Sequence, residues 1–343
     1  MPPLLPFVVA SFLPGACLAL ACLLGGPWPI VAVLVITVVV FFLDKLPVCP
    51  APSDQSGHRL SEALGAAHFI LLGLTVWAMG TDLAMLDKGL IVVAAGLYFG
   101  QVSNSNAHEL IHRADRWAFR LGAACYASIL FGHHTSAHRL VHHVHAATMA
   151  DPATARLGEG FWAYLARAWI GGCRDGLYAE RRRHGGARLP RAYLFYGLAS
   201  ALSVAVAYAL AGGAGIFGLI LVSAYAQIQL MLSDYVQHYG LMRRSMPGGQ
   251  LEPMGPAHSW NAPHWYSAAM MLNAPHHSAH HARPATAFPR LELDAETMPI
   301  LPHSLPVMAV LALVPPVWRR IMDRRVERWT GAAVQGRITP ASA

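Results

Sequence analysis

The fold class predicted by this sequence is an all-α integral membrane bundle of about six transmembrane helices, with a histidine-rich site for two metal ions on the cytoplasmic side. Three observations predict it. Hydrophobic residues make up 55% of the 343 positions and charged residues only 13%, against about 25% charged in soluble domains. Long apolar runs recur along the chain, and no charged side chain occurs before Asp44, which is room for two spans of about 20 residues each. Histidines gather in four places at helical offsets, most densely in Gly132–Thr148 (GHHTSAHRLVHHVHAAT), where six of seventeen residues are His.

Taken in order, runs 4–24 and 28–43 are joined by Gly25-Gly26-Pro27, which admits only a tight hairpin. A polar loop carrying Asp44, Lys45, Asp54 and Arg59 follows, and 64–80 is a third span. A fourth, near 89–107, turns polar at Ser103-Asn104-Ser105-Asn106 and enters His108. The apolar segment 117–131 has only about fifteen residues, too short for a full crossing, so interfacial or buried packing is expected. Residues 151–191 are the most polar part, with Arg181-Arg182-Arg183 at their centre. Spans 192–212 and 215–236 follow, again joined by a Gly-rich hairpin, the second continuing as helix through Asp234 to His238. The apolar stretch 298–318 contains five prolines. Each removes a backbone donor and disfavours helix, so a re-entrant or interfacial segment is expected there. A single membrane-embedded domain, 1–343, accounts for the whole chain, without repeats or a separate soluble unit.

Six spans with both termini in the cytoplasm place the arginine-bearing loops according to the positive-inside rule. The same arrangement puts all four histidine places on the cytoplasmic side. The net charge of +7 follows span ends and loops rather than a basic stripe with exposed aromatics, so nucleic acid is not an expected partner. Cys17, Cys22, Cys49, Cys125 and Cys173 are odd in number and lack CxxC spacing, which argues for embedded thiols rather than disulfides or a zinc ribbon. The apolar N-terminus lacks the basic segment of a cleaved signal peptide.

Residues three or four apart share a helix face. His108 and His112 are four apart, as are His138 and His142, with His143 adjacent; His277, His280 and His281 repeat the pattern, and His238 stands alone. Each cluster can therefore aim two or three imidazoles at one point, and the neighbouring pairs can reach two ions. Nine neutral nitrogen donors exceed what one tetrahedral ion needs. They suit two ions of four or five ligands, and imidazole is compatible with zinc, copper, nickel or iron. His108-Glu109-Leu110-Ile111-His112 also matches the HExxH signature of zinc proteases, with Glu109 as general base. That reading leaves seven clustered histidines without a role. A histidine-rich metal transporter would show loose His tracts rather than helical offsets on several segments. The other ten histidines, including His68 inside a span, His133 and His134, read as structural, with His134 a candidate neighbour of the ligands.

These motifs resemble, in order, those of the membrane alkane 1-monooxygenase family, integral-membrane di-iron hydroxylases related to fatty-acid desaturases. His108–Arg113 is similar to the family's HELxHK box. His138–His143 with Asp151-Pro152-Ala153 (motif 138–154) is similar to its EHNRGHHxxVATPEDPA stretch, Asp234–Leu241 to NYxEHYGL, and His277–Ala282 to RHSDHHA, preceded by Ser259-Trp260-Asn261. Ala137, Gln237 and Ala279 stand where the family has Glu, Glu and Asp. The lost carboxylates are of the kind that orient ligand imidazoles and tune a metal.

The resemblance implies two iron ions held by His108, His112, His138, His142, His143, His238, His277, His280 and His281. Glu109, His134, Asp234, Trp260 and Asn261 would lie behind the ligands or against the substrate. It implies activation of O2 and hydroxylation of a terminal C–H bond of an alkane or similar apolar molecule, with desaturation of a fatty-acyl chain as the alternative outcome of the same centre. It also implies electrons from rubredoxin or a ferredoxin, for which Arg181, Arg182, Arg183 and Arg188 are a candidate docking patch, and a location in the cell inner membrane.

Overall fold

The computed structural model describes residues 4–48, 56–186 and 188–334; Cys49 and Asp54 lie outside them. Helix α1 (Leu5–Leu24) ends at Gly25, whose φ of 60° is open to glycine, and α2 (Trp28–Leu43) starts two residues beyond Gly26. The hairpin is tied down where the Gly26 amide donates to Asp87 Oδ2 at 3.1 Å. Helix α3 (His58–Met79) has 22 residues, about 33 Å at 1.5 Å per residue, close to the hydrocarbon thickness of a bilayer.

Helix α4 (Met85–His112) has 28 residues, about 42 Å, so its histidine-bearing end stands beyond that thickness. It passes through a π-helical turn at Phe99–Ser103. Helix α8 (Arg191–His238) has 48 residues and leaves helical geometry at Ala211 and Gly212. The break reverses the chain: a Cβ on Gly215 would stand 2.2 Å from the Ala207 carbonyl oxygen. Ser200 and Gln227, on opposite sides of the break, bond to the carbonyls of Ala127 and Ile129. The arms 191–210 and 213–238 therefore form the expected antiparallel hairpin. The four helices α1, α3, α4 and α8 are long and apolar enough to cross a membrane, with α2 a shorter apolar helix. Their outward residues, among them Ile30, Phe42, Ile70, Leu198, Leu202 and Phe217, are exposed, as lipid-facing positions must be in a membrane protein. The chain is a multi-pass membrane protein.

His68, in the middle of α3, is fully enclosed and bonds Ser103 through Nδ1 and Ser128 through Nε2 at 2.7 Å. It bolts α3 to the π turn of α4 and to α5 (Arg116–Ser128), a structural role. Asp115 caps α5 by accepting from the Ala118 amide at 2.8 Å, and Gly122 lets α5 press against the Ala107 carbonyl and Leu110 of α4. The short 117–131 segment is thus a largely buried buttress for the histidine-bearing end of α4, with Trp117 at its start exposed.

The remaining elements cover that end. They are α6 (residues 134–145), the amphipathic α7 (Phe161–Arg183), α9 (Trp265–Met270), α10 (His277–Ala282), α11 (Leu305–Ala312) and α12 (Pro315–Val334). Two of these correct the expectation that the prolines of 298–318 disfavour helix. Pro306 falls in the first turn of α11, and Pro315 and Pro316 open α12. A first-turn amide has no helical acceptor to lose, so proline starts these helices instead of preventing them. Cys17, Cys22 and Cys125 are buried and Cys173 partly so, all as free thiols. No strand occurs among the described residues, only isolated bridges at Ser245–Leu251 and Asn261–Ile300.

Candidate metal centre

All nine histidines converge, in two adjacent groups. His108 and His112 of α4, His138 and His143 of α6 and His280 of α10 form the first. His142 of α6, His238 at the end of α8, and His277 and His281 of α10 form the second. Within each group one ring nitrogen per residue lies within 4.8 Å of every other. The His143 and His281 rings, one from each group, are 4.7 Å apart.

The grouping differs from the spacing argument. His138 pairs with His143, five residues on, and not with His142, four on. The reason is a π-helical turn at His138–His142. One residue more per turn brings i and i+5 onto one face, and His142 is thrown to the other group. In α10, which is ordinary helix, His277 and His281 keep the four-residue pairing and His280 crosses to the first group. The doublets 142/143 and 280/281 thus each serve both groups.

The contacts inside the groups test whether a metal fits. In the first, Nε2 atoms meet at 3.1 Å (His112–His138), 3.0 Å (His138–His143) and 3.2 Å (His143–His280). In the second they meet at 2.9 Å (His238–His277), 3.1 Å (His277–His281), 3.2 Å (His142–His281) and 3.3 Å (His238–His281). A neutral imidazole has one N–H and one lone pair, so such a mesh cannot be satisfied by hydrogen bonds alone. His108 Nε2 is buried with no partner at all. An ion with metal–nitrogen bonds of about 2.0–2.1 Å holds its ligand nitrogens about 2.9 Å apart at right angles and about 3.4 Å apart in a tetrahedron. The observed separations fall in that interval. Burial holds His138, His143, His277, His280 and His281 well below the usual histidine pKa, in the neutral form that ligation requires. The donor set is that of a metal site.

His142 Nδ1 lies 2.9 Å from Asp151 Oδ2, which also accepts from the Thr154 hydroxyl at 2.7 Å, while Oδ1 accepts from the Ala153 amide at 3.0 Å. With Nδ1–H held this way, the Nε2 lone pair points into the second group. Burial by itself would raise the Asp151 carboxyl pKa; the His142 charge and these hydrogen bonds draw it below its ordinary value. Burial likewise pulls His142 down, and Asp151 brings it back above the usual value. Sequence reasoning quoted Asp151 only as part of a motif. Its nine-residue distance from His142 follows no periodicity, so the pairing was invisible.

Where the resembling family has a glutamate, the Gln237 amide donates to the Ala274 carbonyl at 3.0 Å and accepts from Ser233 at 2.9 Å. His277 hydrogen-bonds the same carbonyl. An ionised carboxylate cannot donate to that oxygen, so glutamine here is a local requirement. Asn261 bonds the Ser278 amide at 2.9 Å and its hydroxyl at 2.8 Å, and Trp260 donates to the Tyr239 carbonyl at 2.9 Å. Both therefore clamp α10 and the end of α8 to each other. Glu109 accepts from the Phe288 backbone and belongs to neither group. His134 is stacked on Phe131 at 5.1 Å. With His133, Val141, Trp169 and Asp234 it lines a partly open cleft, about 400 Å³ of empty space counted out through its mouth, that reaches both His138 and His142. His134 thus stands where the sequence placed it as a candidate neighbour of the ligands, and His133 joins the site's surroundings beyond the structural role expected for it.

The fatty acid desaturase family model matches residues 88–312. The chain is 30% identical over 279 residues to an alkane 1-monooxygenase of Ectopseudomonas oleovorans, covering 77% of this chain and 67% of that protein. The chain belongs to the membrane alkane monooxygenase family. Alkane 1-monooxygenase 2 of Alcanivorax borkumensis is 28% identical over 289 residues, with 82% and 75% coverage. Alkane 1-monooxygenase 1 of Pseudomonas aeruginosa is 29% identical over 303 residues, with 82% and 78% coverage. This family member therefore spans about two thirds to four fifths of those relatives' lengths, and the matched region contains every histidine of the two groups.

Proposed function

We propose that this protein is a di-iron monooxygenase that hydroxylates a terminal C–H bond of an alkane or similar apolar molecule, using O2. The observation that carries the proposal is the pair of adjacent, fully convergent histidine groups, five and four residues strong, in a chain whose relatives are alkane 1-monooxygenases. Two iron ions, when bound, supply the oxidising power for an unactivated C–H bond, which no side chain has. His108, His112, His138, His143 and His280 would hold one, and His142, His238, His277 and His281 the other.

The chain's own residues do the rest. Asp151 fixes the His142 tautomer. The Ala274 carbonyl, shared by Gln237 and His277, fixes that ring's direction. Phe131, Val141, Trp169 and Met231 give the cavity beside His138 and His142 apolar walls, where an alkyl chain can lie with its end toward the centre while water is excluded. Each methylene moved there from water contributes about 0.8 kcal/mol, so cavity depth selects chain length. In the six-crossing arrangement the positive-inside bias puts the centre on the cytoplasmic face of the inner membrane. Electrons would come from rubredoxin or a ferredoxin. Arg182, Arg183 and Arg188 are exposed beside α7 and would receive an acidic donor, with Arg181 turned inward to the Arg188 carbonyl at 2.9 Å.

The test is metal quantification on purified protein, together with mass spectrometry of products from a panel of alkanes and fatty-acyl chains. About two irons per chain and a terminal alcohol are expected. An alkene would reassign the reaction to desaturation, and a single zinc would refute the proposal. Charge reversal at Arg182 and Arg183 is expected to raise the KM for the donor at low salt, and an unchanged KM would remove the docking role.

A further inference from the structure

We propose that the crevice between α4, the second arm of α8 and α11 binds the hydroxyl end of a neutral long-chain alcohol and leads that product from the metal centre into the bilayer. The inference rests on the hydroxylase reading above. The crevice is half-open, with about 320 Å³ of empty space counted out through its mouth, and is distinct from the cleft at Trp169. Its floor is a close backbone approach, where a Cβ on Gly100 would stand 2.3 Å from Gln229 Cβ. Its walls carry Gln101, Asn104 and Ser105 from α4 and Gln229 and Ser233 from α8, while Leu305, Pro306 and Ala309 of α11 close it with apolar surface.

Polar side chains are expensive within a span and mark function when they face a cavity. Interhelical hydrogen bonding accounts for Asn104, whose Oδ1 accepts from the Tyr126 hydroxyl at 3.0 Å, but not for the two glutamines. The one direct contact across the crevice, Gln101 Nε2 to Gln229 Oε1, is 3.4 Å long, beyond the usual N–H···O range. Gln101 Oε1 is buried with no partner, an unmet acceptor that favours a donor entering the crevice. The polar residues also form two facing ladders that end at the metal centre. On α8, Gln229, Ser233 and Gln237 are four apart on one face, and Gln237 adjoins His238. On α4, Asn104 lies one turn before His108.

A hydroxyl both donates and accepts. It can donate to Gln101 Oε1 and accept from an amide N–H, and it meets such groups at each step away from the centre. An alkane offers neither. None of the lining residues is charged, so a carboxylate or phosphate head finds no counter-ion. The crevice therefore discriminates product from substrate and leaves the Trp169 cavity to the alkane.

The test is photolabelling of the metal-loaded protein in lipid nanodiscs. One probe is a 1-alkanol with a diazirine near its hydroxyl, and the other is the same chain without the hydroxyl. Peptides containing residues 101–105, 229–233 and 305–309 should be labelled by the alkanol, and at least tenfold less by the alkane. Excess 1-octanol should compete, and octanoate should not. Gln101→Met should lower alkanol labelling about tenfold, the factor expected from one lost hydrogen bond. Equal labelling by both probes, or labelling elsewhere only, overturns the proposal and leaves the crevice a water-filled seam. If Gln101→Met fails to fold, the wild-type comparison of the two probes still decides. Labelling needs no turnover, so a protein that makes no alcohol would refute the proposed function while leaving this outcome readable.

Discussion

Asp151→Asn is the substitution that most directly examines the second histidine group. The carboxylate accepts three hydrogen bonds, from His142 Nδ1, the Thr154 hydroxyl and the Ala153 amide. An asparagine has one oxygen and one amino group in their place. If the oxygen keeps the Ala153 amide at the Oδ1 position, the amino group takes the Oδ2 position and faces both His142 Nδ1 and the Thr154 hydroxyl, which can turn to accept from it. The ring must then leave Nδ1 bare and carry its proton on Nε2, the atom that meets His281 at 3.2 Å. Losing an orienting partner of this kind lowers metal affinity about tenfold to a hundredfold, or about 1.4–2.8 kcal/mol. Asp151→Ala should do less harm, because solvent entering the space can accept the Nδ1 proton. The assay is metal content per chain after equilibration of nanodisc-embedded protein with graded chelator. The asparagine variant should release one class of ion at ten to a hundred times lower chelator strength and loosen the other class by a smaller factor. Release curves identical to wild type would refute the assignment of Asp151 as the partner that fixes His142.

Three further outcomes are expected. His142→Ala and His143→Ala, one residue apart, should each release a different class of ion in the same chelator titration; loss of the same class from both would contradict the π-turn grouping. Gly122→Ala would place a methyl 2.8 Å from the Ala107 carbonyl oxygen and from Leu110 Cβ, so overpacking of about 1–3 kcal/mol should lower the melting temperature and the metal content together, whereas Gly73→Ala, half-buried with open space around it, should lower neither. Glu159 is the pH-dependent case. Burial alone would raise its pKa, but paired bonds from Arg167 at 2.8 and 2.7 Å draw it below the usual value. A depressed carboxylate contributes stability fully above its unfolded pKa of about 4.3, and that contribution fades as pH falls through the lower folded value. Thermal melts of wild type should therefore weaken on acidification below about pH 4.3, and Glu159→Gln should be less stable above that pH and show a shallower acid slope.

Much of this was legible in the chain. Apolar runs, the glycines at 25–26 and 212–213 and the persistence of helix to His238 follow from local chemistry, and so does the convergence of nine imidazoles. The sorting of those imidazoles was not legible, because a single π-helical turn changes which neighbours share a face and nothing in His-Arg-Leu-Val-His announces it. The starts of α11 and α12 were obscured by counting prolines without their positions, since the residue that breaks a helix in its interior suits its first turn. Asp151, Gln237 and Asn261 act through contacts set by the folding of distant segments. Sequence could flag them as motif members but could not say what each one touches.

The doublets 142/143 and 280/281 have one more consequence. Each is a single peptide link with an imidazole on either side, so a backbone shift that accommodates an ion in one group displaces a donor of the other. The two groups are thus mechanically geared, and the half-filled protein should be strained relative to the empty and full ones. Iron should then load in a steep, all-or-none isotherm rather than in two independent steps, and a mutation that empties one group should slacken the grip of its neighbour by a smaller, measurable factor.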